Sequence, residues 1–158
     1  MKTSSESLSH RFQRIVNENL PKRLQMFKLL MEQPIDHRMF AKKGQGLKTI
    51  LKELGRLQDF KGIYGFILDH QLVYIDDSSY VLKRVLRQYK GTTKYQRNLL
   101  HLIQNAREDI DLINNPLVAE EQLHRMQVVI MEIPDDLERE LTTIYLKCEF
   151  DCLYNRYE

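Results

Sequence analysis

The sequence predicts an α+β fold, arranged like a small sandwich: a three-stranded, mainly antiparallel sheet flanked by helices, with a helical extension in front. Three observations predict it. Two short apolar β-type runs, Gly62 to Leu68 and Leu72 to Ile75, are separated by the turn residues Asp69-His70-Gln71 and read as a hairpin. A third run, Val128 to Ile133, is the clearest strand in the chain and lies beyond several helical patterns. The first sixty residues carry helical periodicity and no strand signal, so the organisation is a basic helical extension over 1–58 and an α+β domain over 59–158.

Residues 6–33 read as one or two helices. Phe12, Ile15, Val16 and Leu20 fall at helical spacing, and Pro21 can open a second helix through Leu24, Phe27, Leu29, Leu30 and Met31. Pro34 stops it, and a basic linker runs to Gly44 and Gly46. Leu47, Ile50, Leu51, Leu54 and Leu57 then form one stripe of a further helix. After the hairpin, Ser78 or Ser79 can cap a helix reaching about Tyr89, with Val81, Leu82, Val85 and Leu86 apolar. Another helix begins near Thr93 and extends at most to the Asn114-Asn115-Pro116 break. A short helix from Leu117 to Met126 leads into the third strand. Pro134 and Asp135 start a last helix with Leu137, Leu141, Ile144, Tyr145 and Phe150 apolar.

The chain has 158 residues, enough for one well-buried core, and its 42% hydrophobic and 29% charged residues are those of an ordinary globular protein. No apolar run approaches a membrane span, and the N-terminus lacks the apolar segment of a secretory signal, so a cytoplasmic protein without a membrane partner is expected. Cys148 and Cys152 have no ligand-type neighbours and read as two small side chains on one helical face. The net charge of +2 hides an uneven distribution. Residues 1–58 hold twelve basic against five acidic side chains, residues 59–100 seven against four, and residues 101–158 five against thirteen. A basic front suits a protein that presents one face to a polyanion, and solvated helix surfaces produce the same pattern.

One constellation spans the α+β region. Gly62-Ile63-Tyr64 is followed by Tyr74-Ile75-Asp76, ten residues from tyrosine to tyrosine, and Arg84 lies ten residues further on. A basic helix carries Arg84 and Arg87, and near the C-terminus Glu140 precedes Asn155 by fifteen residues. This pattern resembles the GIY-YIG nuclease signature, from about Lys61 to Glu158. The resemblance implies a divalent-metal-dependent DNA endonuclease that hydrolyses phosphodiester bonds. In it Tyr64, Tyr74, Arg84, Glu140 and Asn155 would form the catalytic set, and Glu140 would hold one Mg²⁺ (or Mn²⁺). Tyr64 would position or deprotonate water, Tyr74 would bond near the phosphate, Arg84 would neutralise it, and Asn155 would support the site. A tyrosine of ordinary pKa, about 10, is a poor base, and a nearby cation with Arg84 would depress that value.

Three departures favour an alternative, a decayed GIY-YIG scaffold that binds nucleic acid or regulates. Asp76 stands where the family has glycine. The glutamate position falls on Glu140 or, with a shorter tail, on Thr143. The position four residues after the arginine holds Gln88, with Tyr89 one step later. Phosphate contacts are expected from Arg84, Arg87, Lys42 and Lys43, and from Lys22, Arg23, Lys28 and Arg38, with DNA preferred to RNA. The stripes of residues 12–31 and 47–57 either dock on the domain or form a homodimer interface, and both can hold at once.

Overall fold

A computed structural model describes residues 6–108 and 116–158. It is an α+β protein with an open three-stranded antiparallel sheet between two layers of helices. The strands are β1 (Gly62–Leu68), β2 (Gln71–Ser78) and β3 (Gln127–Glu132), in the order β2-β1-β3. Asp69 and His70 form the hairpin turn, both at positive φ (49° and 66°), as a two-residue connection matching strand twist requires. The register places Gly62 opposite Ser78 and Tyr64 opposite Asp76. It shifts between Phe66 and Ile67, where Phe66 pairs with Tyr74 and Ile67 with Leu72.

Both faces of the sheet are buried, which is why its strands read as continuous apolar runs. On one face Tyr64, Phe66, Tyr74 and Val128 pack with α5 (Val81–Lys90), α6 (Asn98–Glu108) and α7 (Pro116–Leu123). The other face packs Ile63, Ile75, Val129 and Met131 with Leu146 of α8 (Asp136–Phe150) and with Phe27.

The front sixty residues belong to these same cores. A helical rod runs from α1 (Leu8–Arg14) through a π-helical turn, Ile15–Asn19, into α2 (Leu20–Glu32). Leu20 N–H bonds back to the Ile15 carbonyl, a widened turn that lets Pro21 enter the next one without a clash. Phe27 of α2, Phe40 of α3 (Arg38–Ala41) and Ile50 of α4 (Leu47–Glu53) are fully buried. Burying each such side chain contributes about 1.5–3 kcal/mol. The stretch read as a linker also pairs with the sheet: Ile35 exchanges two backbone bonds with Val128, at 2.7 and 2.8 Å, covering the outer edge of β3.

Four local expectations need correction. The stripe through Leu57 ends early, because Gly55 turns left-handed (φ 66°) after α4 and Leu57 is left in solvent. Neither Ser78 nor Ser79 caps α5. Asp59, before β1, does so from a distance, its two carboxylate oxygens each accepting at 2.9 Å from Leu82 and Lys83 N–H. The helix placed near Thr93 begins at Asn98, and its far end falls outside the described residues. The fourth correction concerns α8. Ile144 is exposed, and the buried stripe is Glu138, Arg139, Thr142, Thr143 and Leu146.

No helix of the described residues is long and apolar enough to cross a membrane.

Candidate functional site

The strand register brings the tyrosines together. Tyr64 on β1 faces Asp76 across the hairpin, and Tyr74 lies two residues before Asp76 on the same face of β2. The tyrosine rings are 6.3 Å apart, and both are fully buried. Their hydroxyls converge on one carboxylate oxygen, Asp76 Oδ2, donated at 3.4 Å by Tyr64 and 3.2 Å by Tyr74. The residue that replaces the expected glycine is thus the acceptor at the centre of the cluster.

The helices complete it. Arg84 and Gln88 stand one turn apart on α5, and Asn98 opens α6. Asn98 Nδ2 donates to Tyr74 Oη at 3.0 Å, while its Oδ1 accepts from Arg84 Nη2 at 3.0 Å and from Gln88 Nε2 at 2.5 Å. Gln88 Oε1 in turn accepts from Leu99 N–H at 3.1 Å, so a fully buried amide is bonded at both ends. Arg84 also donates to the Tyr95 carbonyl at 2.9 Å and lies 4.9 Å from the centre of the Tyr95 ring. Tyr89 points elsewhere, packing against Phe40, with its hydroxyl donating to the Met126 carbonyl at 3.4 Å.

Above the cluster opens a cavity of about 510 Å³, lined by Asp76, Asp77, Ser78, Ser79, Arg84, Tyr95, Asn98 and Arg139. Its charges are unequal in availability. Arg139 is engaged, donating to Asp77 Oδ2 at 2.8 Å and to Asp136 Oδ1 at 2.7 Å. Arg84 bonds neutral groups, the Tyr95 carbonyl, Asn98 Oδ1 and the Tyr64 phenol, and has no carboxylate ion-pair partner among the described residues.

Burial sets the protonation of the interior groups. Desolvation, reinforced by Asp76, drives the Tyr64 phenol well above its ordinary value, and the opposing pull of Arg84 is outweighed. Tyr74 moves the same way, through desolvation and then through Tyr64 and Asp76. The Asp76 carboxyl is raised, again chiefly by burial. Both tyrosines are therefore hydrogen-bond donors at neutral pH.

The other expected site residues are dispersed. Asn155 meets the site indirectly, clamping the backbone of Ile75 between Tyr74 and Asp76. Glu140 lies on the solvent side of α8, outside the cavity lining, because the edge of the buried stripe runs between it and Thr143. Thr143 is buried, its hydroxyl donating to the Arg139 carbonyl at 2.8 Å. Arg87 is half-buried on α5, and Lys42 and Lys43 are exposed. The turn that carries those lysines is tied to α5 by Lys90 Nζ, which donates to the Lys42 and Gln45 carbonyls at 2.6 Å each. Lys22 and Lys28 are exposed, whereas Arg23 pairs with Glu138 and Arg38 with Asp36.

These residues do not fit the implied Mg²⁺ or Mn²⁺. Such an ion needs one or two available anionic oxygens. Of the two carboxylates at the cavity, Asp76 is desolvated and bonded by two phenols, and Asp77 is paired with Arg139. Among the described residues no group of three or more His, Cys, Asp or Glu side chains could hold a metal.

Asn98, Gln88, Tyr95 and Arg139 carry no motif in the sequence. Gln88 alone stands out in the sequence, as a departure from the pattern the chain resembles.

No family model matches the chain, and no curated protein or solved structure is significantly similar to it.

Proposed function

We propose that this chain is a nucleic-acid-binding protein on a GIY-YIG-type scaffold, in which the Arg84 cavity receives a backbone phosphate and hydrolysis has been lost. One observation carries the reading: the Arg84 guanidinium lines an open cavity while its hydrogen bonds go to neutral groups, the Tyr95 carbonyl, Asn98 Oδ1 and the Tyr64 phenol. A cation held by neutral acceptors keeps its charge for an incoming anion. The serine hydroxyls of Ser78 and Ser79 line the same cavity and suit phosphate oxygens. Arg87, Lys42 and Lys43 extend the basic surface at the far end of α5, and DNA is the expected polymer ahead of RNA. Loss of hydrolysis is supported by Thr143 and Arg139 on the buried stripe of α8, where a metal-binding carboxylate would be needed, and by the raised phenol of Tyr64.

The test is binding of labelled DNA across a salt series, with a plasmid-nicking assay in Mg²⁺ or Mn²⁺ alongside. The reading expects salt-sensitive binding, a salt slope reduced by about 1 in Arg84→Ala, and no nicking. Absence of binding at low salt overturns it. A second reading, a divalent-metal-dependent endonuclease, is favoured by the convergence of Tyr64, Tyr74 and Arg84 on one hydrogen-bonded cluster. Metal-dependent nicking by the wild type that disappears in Tyr64→Phe would establish that reading instead.

A further inference from the structure

We propose that the Arg84 cavity takes an unpaired strand, with a base stacked on the ring of Tyr95. The proposal rests on the phosphate-site reading above and deepens it. Tyr95 is 78% exposed although it lines the cavity, while Tyr64 and Tyr74 beneath are fully buried. Arg84 contacts both its ring and its backbone. The Arg84 guanidinium lies 4.9 Å from the ring centre and also bonds the Tyr95 backbone carbonyl at 2.9 Å. An aromatic surface held in place by a cation loses little freedom on accepting a second flat partner.

Charge and aromatic surface alternate around it. Lys94, the preceding residue, is exposed, and Lys83 beside Arg84 is exposed as well. A second open ring, Tyr80 at 64% exposure, follows Ser79, which lines both this cavity and the neighbouring one bordered by Tyr80. The carboxylates add little repulsion, since Asp77 is paired with Arg139 and Asp76 is bonded by both phenols.

Exposed rings interleaved with cations suit single strands. In a duplex each base face is covered by its neighbours, and only the backbone and groove edges are offered. An unpaired strand presents the faces themselves, and stacking tolerates any base. A phosphate on Arg84 with a base on Tyr95 uses both features at once.

Fluorescence anisotropy at low salt, with labelled oligothymidylate, oligouridylate and a duplex of equal length, tests this on the full chain. Either single strand should bind at least about ten-fold tighter than the duplex. Tyr95→Ala should lose about ten-fold in single-strand affinity and markedly less in duplex affinity, and Tyr95→Phe should retain both, since stacking needs only the ring. Tyr95 is a surface residue, so these variants keep the fold. Equal or tighter duplex binding that is indifferent to Tyr95→Ala overturns this inference alone. No binding of any probe overturns the phosphate-site reading with it.

Discussion

The side-chain amide of Asn155, three residues before Glu158, closes both hydrogen-bonding groups of Ile75 on the sheet edge. Oδ1 accepts from the Ile75 N–H and Nδ2 donates to the Ile75 carbonyl, each at 2.9 Å. One side chain thereby stands in for a missing neighbouring strand at the centre of β2, between the two residues that shape the site. Asn155→Ala leaves two main-chain groups of a buried residue without protein partners. It should destabilise the fold by roughly 2–4 kcal/mol, read as a lower urea midpoint with an unchanged slope.

Gly62 and Gly65 both sit where a side chain would be crowded, with neighbours of different rigidity. A Cβ on Gly62 would come within 2.5 Å of the Met131 carbonyl oxygen, which is backbone of β3. On Gly65 the two closest atoms are a Leu72 methyl at 2.8 Å and a Val129 methyl at 3.0 Å, side chains that can give way, with the Tyr74 carbonyl oxygen further off at 3.1 Å. Gly62→Ala should therefore cost more than Gly65→Ala, about 3 kcal/mol against about 1–2 by thermal or urea unfolding. Equal losses would contradict the rigidity assigned to the β1–β3 pairing.

Asp59 holds the first turn of the helix that carries Arg84. Its carboxylate satisfies the N–H groups of Leu82 and Lys83, and Phe60 as well. Asp59→Ala should cost about 1–2 kcal/mol and fray the start of α5, visible as faster amide hydrogen exchange at residues 81–84 than elsewhere in the helix.

Asp76 carries a carboxyl raised by burial, so folding disfavours its charged form. Its favourable contribution to stability is complete below the unfolded carboxylate value, about 3.9, and is lost as pH rises through the higher folded value. Asp76→Asn keeps an oxygen for the two phenols and removes the charge. It should be more stable than wild type at neutral pH, with the advantage fading as pH falls through the raised folded value and gone below about pH 4. Its DNA binding at neutral pH should stay close to that of the wild type, because both phenols already bond the Asp76 carboxylate. Weaker binding by this variant would show that the carboxylate serves the ligand.

Asn98 orients Arg84, Gln88 and Tyr74 together. Asn98→Ala should cost about 1–3 kcal/mol in stability and weaken DNA binding several-fold, with a smaller loss of salt slope than Arg84→Ala, because the cation remains but loses its anchor. Asn98→Asp separates anchoring from charge: it restores an acceptor for Arg84 yet should bind DNA more weakly still.

Much of the architecture is legible in local sequence. The hairpin, β3 and the start of α8 follow from apolar runs and turn chemistry that act over a few residues, and Asp135 caps α8 as its position suggests, accepting from Glu138 N–H at 2.8 Å. The spacing of Tyr64, Tyr74 and Arg84 is likewise local, because strand register and helix pitch carry it onto one face of the sheet. What those residues touch was decided elsewhere. Apolar periodicity on α8 pointed to Ile144, but packing against the sheet and α2 turned Arg139 and Thr143 inward and left Glu140 in solvent. The cap on α5 came from Asp59 before the hairpin, and the edges of the sheet were covered by Ile35 and by Asn155, the latter eighty residues from its partner. Hydrophobic pattern sets which segments are strands and helices because burial is non-directional and repeats with the backbone. Hydrogen bonds and ion pairs are directional and short-ranged, so their partners exist only once distant elements have packed.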